Sequence, residues 1–107
     1  MTGKEYVQQI KHIDTLIKNK TVDMKQAREL GEDTAYIKNA IEQLKRTRKE
    51  IVENIQRLPE AQSDVLHRVY VQGESLYVVA SERRISYSYA TKLHGWALQA
   101  LERIINK

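Results

Sequence analysis

The chain of 107 residues has no cysteine and no phenylalanine, one proline, one tryptophan and four glycines. Without Cys there is no disulfide framework, thiolate zinc site or cysteine nucleophile, which suits a reducing compartment. So few Pro and Gly leave little of the chain for loops. No apolar run approaches the roughly 18 residues that a membrane helix needs. The opening MTGKEYVQQ lacks the apolar core of a signal peptide. His12, His67 and His94 are widely spaced, so no metal site is expected. Gly3, Gly31, Gly73 and Gly95 are too dispersed for a phosphate loop, and nothing resembles a nucleophile elbow. The expectation is a protein that is not an enzyme and takes no cofactor.

What is present is helical and mildly basic. Apolar residues make up 41% and charged residues 30%, with a net charge of +4. Met1 to Leu58 holds 12 basic and 9 acidic residues, and Pro59 to Lys107 holds 6 and 5. No acid falls between Arg83 and Leu101, a segment that carries Arg83, Arg84 and Lys92.

Two long helices are expected first. Tyr6, Ile10, Ile13 and Ile17 form one stripe, extended by Met24, Ala27 and Leu30 after a polar interruption at Lys20 and Thr21, where a kink is allowed. Gly31 and Asp33 are the expected end cap and start cap. Ile37, Ile41, Leu44, Ile51, Ile55 and Leu58 make the second stripe, a seven-residue repeat broken at Arg48. Folded back, the stripes meet as an antiparallel helical hairpin over residues 1–58. Two helices cannot enclose both stripes, so either the second half or a second copy covers them. Ile10, Ile13, Ile17, Leu44, Ile51 and Ile55 are therefore the expected oligomer or partner interface, with a dimer as the expected state. Lys45, Arg46, Arg48 and Lys49 read as a solvated face before a phosphate contact or a partner surface.

Residues 59–107 read as three shorter helices. Pro59 opens the first, which buries Val65, Leu66, Val69 and Tyr70 and ends at Gly73. Ser75 caps a short helix with Val78, Val79 and Ala80 inward. Ile85 is a buried turn residue, and Ser86 caps a last helix with Ala90, Leu93, Ala97, Leu101 and Ile104 on its apolar face. Trp96 is assigned to the core and Tyr89 inward. Gly95, inside a helix, is expected to mark tight helix packing, the alternative being close backbone approach to the preceding helix or to DNA. Two capped helices around a tight turn, Ser75 to His94, have the layout of a helix-turn-helix, whose second helix enters the DNA major groove.

The run SLYVVASERRISYSYATKLHGWALQALERI resembles region 4 of bacterial primary sigma factors, without a gap from Ser75 to Leu101. With the lead-in VLHRVYVQGESL and the N-terminal YVQQIKHIDTLIKNK, the chain is more similar still to small phage-encoded regulators of Gram-positive bacteria, the ArpU and RinA activators and their relatives. It departs from sigma factors at Arg83, where they carry an apolar turn residue, and at Ala90, where they carry a larger β-branched one. The resemblance implies an all-α fold and a sequence-specific DNA-binding transcriptional activator in the cytoplasm of a bacterial host. It places Tyr87, Ser88 and Lys92 at base-reading positions, with Thr91 beside them. Arg83 and Arg84, with the cap residues Ser75 and Ser86, are the expected phosphate contacts. Double-stranded DNA is the expected partner and a membrane is not. RNA polymerase is a second candidate partner, because sigma region 4 also binds the polymerase flap. Two alternatives stay open: a sigma-like adaptor acting on RNA polymerase, and a DNA-packaging protein like small terminase subunits.

Overall fold

The computed structural model describes residues 1–107, and the chain is all-helical. Its elements are α1 (Gly3–Glu29), α2 (Ala35–Gln56), α3 (Glu60–Leu66), α4 (Leu76–Arg83) and α5 (Tyr87–Ile105). A π-helical turn, His67–Val71, continues α3.

α1 starts in a capping box. The Thr2 hydroxyl accepts from the Glu5 N–H, and the Glu5 carboxylate accepts from the Thr2 N–H, both at 3.1 Å. Such a box satisfies two otherwise orphaned donors and is worth about 1 kcal/mol. The helix runs unbroken through Lys20 and Thr21, where a kink was allowed. The Thr21 hydroxyl returns to the Ile17 carbonyl at 2.7 Å. Gly31, at φ +73°, supplies the left-handed residue that ends α1. Asp33 accepts from the Ala35 N–H at 3.0 Å, although Thr34 holds the cap position of α2.

α1 and α2 pass one another in opposite directions. Ala27 packs with Ile37 at one end. Arg48 meets Asp14 at 2.7 Å midway, and Asn54 donates to the Tyr6 hydroxyl at 2.7 Å at the other end. The main core joins Val7, Ile10, Ile13, Ile51, Ile55 and Leu58 to Leu66, Ala97 and Leu101. Residues before and after Pro59 thus share one core.

That packing corrects the expected interface. Ile10, Ile13, Ile51 and Ile55 are at most 4% exposed, because α3 and α5 cover them within the same chain. Ile17 and Leu44 sit at the edge of this core, half-buried. The far end of α1 and α2 has its own cluster, Ala27, Ile37 and Ile41 flanked by Ile17 and Met24, drawn from these two helices alone. It forms an arm on a molecule 55 × 32 × 18 Å in extent, with Val22, Leu30 and Tyr36 exposed.

In the second half, Val65, Val79 and Leu93 form a smaller core against which Val69, Leu76 and Ile85 pack. Val78 was expected inward but is exposed; Val79 and Ala80 are the buried residues of α4. Two arginines tie α3 to α4 at the surface. Arg68 pairs with Glu74 at 2.6 Å and with Glu82. Arg83 pairs with Glu60 at 3.0 Å and Asp64 at 2.8 Å. The start of α1 is pressed onto α5: the Gly3 N–H donates to Glu102 at 3.2 Å. A Cβ at Gly3 would stand 2.2 Å from the Leu98 carbonyl oxygen, so only glycine fits.

Candidate functional site

α4 and α5 meet in a reversal of three residues. The Ser75 hydroxyl accepts from the Val78 N–H at 3.2 Å to start α4. Arg84 ends it at φ 58°, ψ 42°, in the left-handed region, which costs a non-glycine residue about 1–2 kcal/mol. The Ile85 N–H returns to the Ala80 carbonyl at 3.0 Å, and the Ile85 side chain enters the small core. That anchor holds the strained turn. Ser86 then accepts from the Tyr89 N–H at 3.0 Å and starts α5.

The consequence is a sharp division of the α5 surface. Ala90, Leu93 and Ala97 are buried, whereas Tyr87, Ser88, Thr91 and Lys92 are all exposed. The structure therefore brings the four expected base-reading residues to the outward side of the first two turns. Thr91 donates its hydroxyl proton to the Tyr87 carbonyl at 3.0 Å, so only its lone pairs and methyl face outward.

Two aromatic pairs border this strip. Tyr87 stacks on Tyr77 of α4, with centroids 4.0 Å apart and planes within 5°. Tyr89 meets Trp96 edge-on at 6.1 Å and 80°. At about 100° per residue, Tyr89 and Trp96 lie roughly opposite Tyr87 around the helix, and Ser88, Lys92 and Gly95 lie between. Tyr89 and Trp96 were expected inward, yet they are 46% and 47% exposed. Ala97, Leu93 and Leu101 already fill the inward arc of α5, and the ring pair shields part of each aromatic surface instead.

Gly95 overturns a further expectation. A Cβ there would meet nothing within 4 Å, so no neighbouring helix requires the glycine. Its cost to the helix, about 1 kcal/mol relative to Ala, has no return inside the molecule. His94 lies on the inner side, stacked on Tyr70, with the Tyr70 hydroxyl 2.8 Å from Nε2. Burial, with a smaller contribution from the Lys4 charge, lowers the His94 pKa.

The expected phosphate contacts divide. Arg84 is exposed and stands outside the ion pairs. Arg83 is held in a fork by Glu60 and Asp64, which raises its pKa and holds the Glu60 carboxyl below its usual range. The acids at 60 and 64, one helical turn apart on α3, were the signal for this clamp. Ser75 and Ser86 are exposed, with their oxygens accepting the cap bonds and their hydroxyl protons free to turn outward. On α2, Arg48 is bound to Asp14 and Lys49 reaches Glu53 at 3.9 Å.

No three His, Cys, Asp or Glu side chains stand together as a metal site. The largest groove, about 840 Å³ between α1 and the π-helical turn, includes no residue of the α5 strip. No helix is long and apolar enough to cross a membrane. Compared with models of known protein families, with curated proteins and with solved structures, the chain matches none.

Proposed function

We propose that the protein is a sequence-specific, double-stranded DNA-binding transcriptional regulator, with α4 and α5 as a helix-turn-helix and α5 in the major groove. One observation carries this reading: a helix capped at Ser86 exposes Tyr87, Ser88, Thr91 and Lys92 together while burying Ala90, Leu93 and Ala97. No acid lies on that strip. Lys92 donates to guanine O6 and N7, Ser88 pairs with several base edges, and Tyr87 lies against a thymine methyl. Arg84 and the hydroxyls of Ser75 and Ser86 supply phosphate contacts, which fix the register without reading sequence. The resemblance to phage-encoded activators adds the expectation of a positive regulator in a bacterial cytoplasm.

The test is selection of bound sites from a random DNA library, repeated with Tyr87→Ala, Ser88→Ala and Lys92→Ala. Each lost contact is expected to weaken preference at one or two base pairs by roughly 1–3 kcal/mol. An unchanged motif in all three variants removes α5 from direct readout.

A second reading, an adaptor whose main partner is RNA polymerase, is favoured by the exposed Tyr89–Trp96 pair, since aromatic residues are enriched in protein interfaces. Gel shifts with and without polymerase separate the two. The residues from Pro59 onward carry 6 basic and 5 acidic side chains, so one copy neutralises few phosphates and two copies on one site bind better. With the main core closed, the arm end, where Val22, Leu30 and Tyr36 are exposed, offers a surface for such a pairing away from α5.

A further inference from the structure

We infer that Gly95 is a point of close approach between α5 and bound DNA, where the duplex comes nearer to the helix backbone than any side chain would allow. The inference rests on the DNA-binding reading above and extends it to a residue that no contact assignment includes.

Glycine in the middle of a helix weakens it, so an interior glycine needs a reason. Inside proteins the usual reason is a neighbour too close for a Cβ, as at Gly3 against the Leu98 carbonyl oxygen. Gly95 has no such neighbour: a Cβ there meets nothing within 4 Å. A turn does not explain it either. It carries no positive φ, and α5 continues for ten more residues to Ile105.

Its position is the second observation. Gly95 follows Thr91 and Lys92 by four and three residues, so it lies one turn along the same strip, where it is partly exposed. It stands about 12 Å along the helix axis from Tyr87, at 1.5 Å per residue. The two aromatic pairs border the strip on either side, Tyr77–Tyr87 and Tyr89–Trp96. A side chain at 95 would rise from the floor of that strip. Its absence leaves bare backbone where a helix lying in a groove passes the groove wall.

The experiment pairs stability with binding. Gly95→Ala and Gly95→Leu are measured by thermal denaturation and by titration against the selected DNA site and a random-sequence duplex, beside Lys92→Ala. Both glycine variants are expected to melt several degrees higher, because the helix gains propensity and nothing is displaced. Both are expected to bind the selected site more weakly, roughly tenfold for Ala and more for Leu. A loss of affinity in a more stable protein cannot come from unfolding. Unchanged or tighter binding by Gly95→Ala overturns the inference, and if Lys92→Ala still weakens binding the DNA reading survives it. A wild-type protein that binds neither duplex overturns both.

Discussion

The Tyr70 hydroxyl lies 2.8 Å from Nε2 of His94, and their rings stack with centroids 5.7 Å apart. The pair links the π-helical turn to the inner side of α5. The wider turn at His67–Val71, closed by the Gln72 N–H on the His67 carbonyl at 3.0 Å, brings Tyr70 to this position. A neutral imidazole suits the contact, because the hydroxyl can donate to Nε2 while Nδ1 keeps the ring proton.

A pH dependence follows. The folded-state pKa of His94 is lowered, so between that value and the unfolded value near 6.5 the unfolded chain binds the extra proton. The contribution is fully present above pH ~6.5 and is lost as pH falls toward the folded pKa. The melting temperature should drop on acidification through this window, and His94→Gln should flatten that part of the profile. An unchanged slope in the variant would assign the effect to other groups.

Gly3→Ala should be strongly destabilising. The added methyl meets a backbone carbonyl oxygen, which cannot rotate away, so α1 must lift from α5. Overpacking of this kind costs about 1–3 kcal/mol, and the lost Gly3–Glu102 bond adds to it. Urea denaturation measures the change. A neutral result would mean that the start of α1 is not seated on Leu98 in solution.

Arg83 and Arg84 are adjacent in sequence and opposite in consequence. Arg84→Ala should reduce the slope of log affinity against log salt by about one, the signature of a lost phosphate contact. Arg83→Ala should leave that slope nearly unchanged and lower stability, because Glu60 and Asp64 lose their shared cation. A slope reduced equally by both would show that Arg83 leaves the acids when DNA binds.

Ile13→Asp or Ile51→Asp should unfold the protein rather than separate subunits. Each puts a carboxylate into a core where the native side chain is at most 4% exposed, and an unpaired buried charge is not tolerated. Circular dichroism reads the loss of helix. Leu30→Ser with Tyr36→Ser should keep the helical signal, since both residues are exposed at the arm end. Analytical ultracentrifugation should show the double variant as a monomer at concentrations where the wild type self-associates. A wild type that stays monomeric at high micromolar concentration removes the arm as an interface.

The all-helical character was legible because stripes such as Tyr6–Ile10–Ile13–Ile17 leave no other period to choose, and Ser75 and Ser86 mark their helix starts directly. The outward position of Ser88 and Lys92 followed from the same periodicity, since Ala90, Leu93 and Ala97 claim the opposite arc. What covers a stripe is a matter of tertiary packing, which periodicity does not carry. Ile10 and Ile55 looked the same whether α5 or a second copy lay over them. Trp96 misled because a large aromatic is usually core, and its edge-on contact with Tyr89 depends on a spacing of seven residues on one helix face. The clamp on Arg83 needed the acids of α3 brought beside α4, a pairing separated by 19 and 23 residues.

α1 is a single helix of 27 residues, seated at its first residues on α5 and ending in the arm. At 1.5 Å per residue it spans about 40 Å without a joint. The arm end is therefore joined to the Leu98–Glu102 part of α5 by one stiff helix. On the DNA-binding reading, a partner held at Leu30 and Tyr36 would constrain the direction in which α5 faces the duplex. Joined by their arm ends, two such levers would act as a ruler. One base pair inserted between half-sites rotates the far one by about a tenth of a turn, a mismatch that a hinged connection would absorb and such a pair of levers would resist.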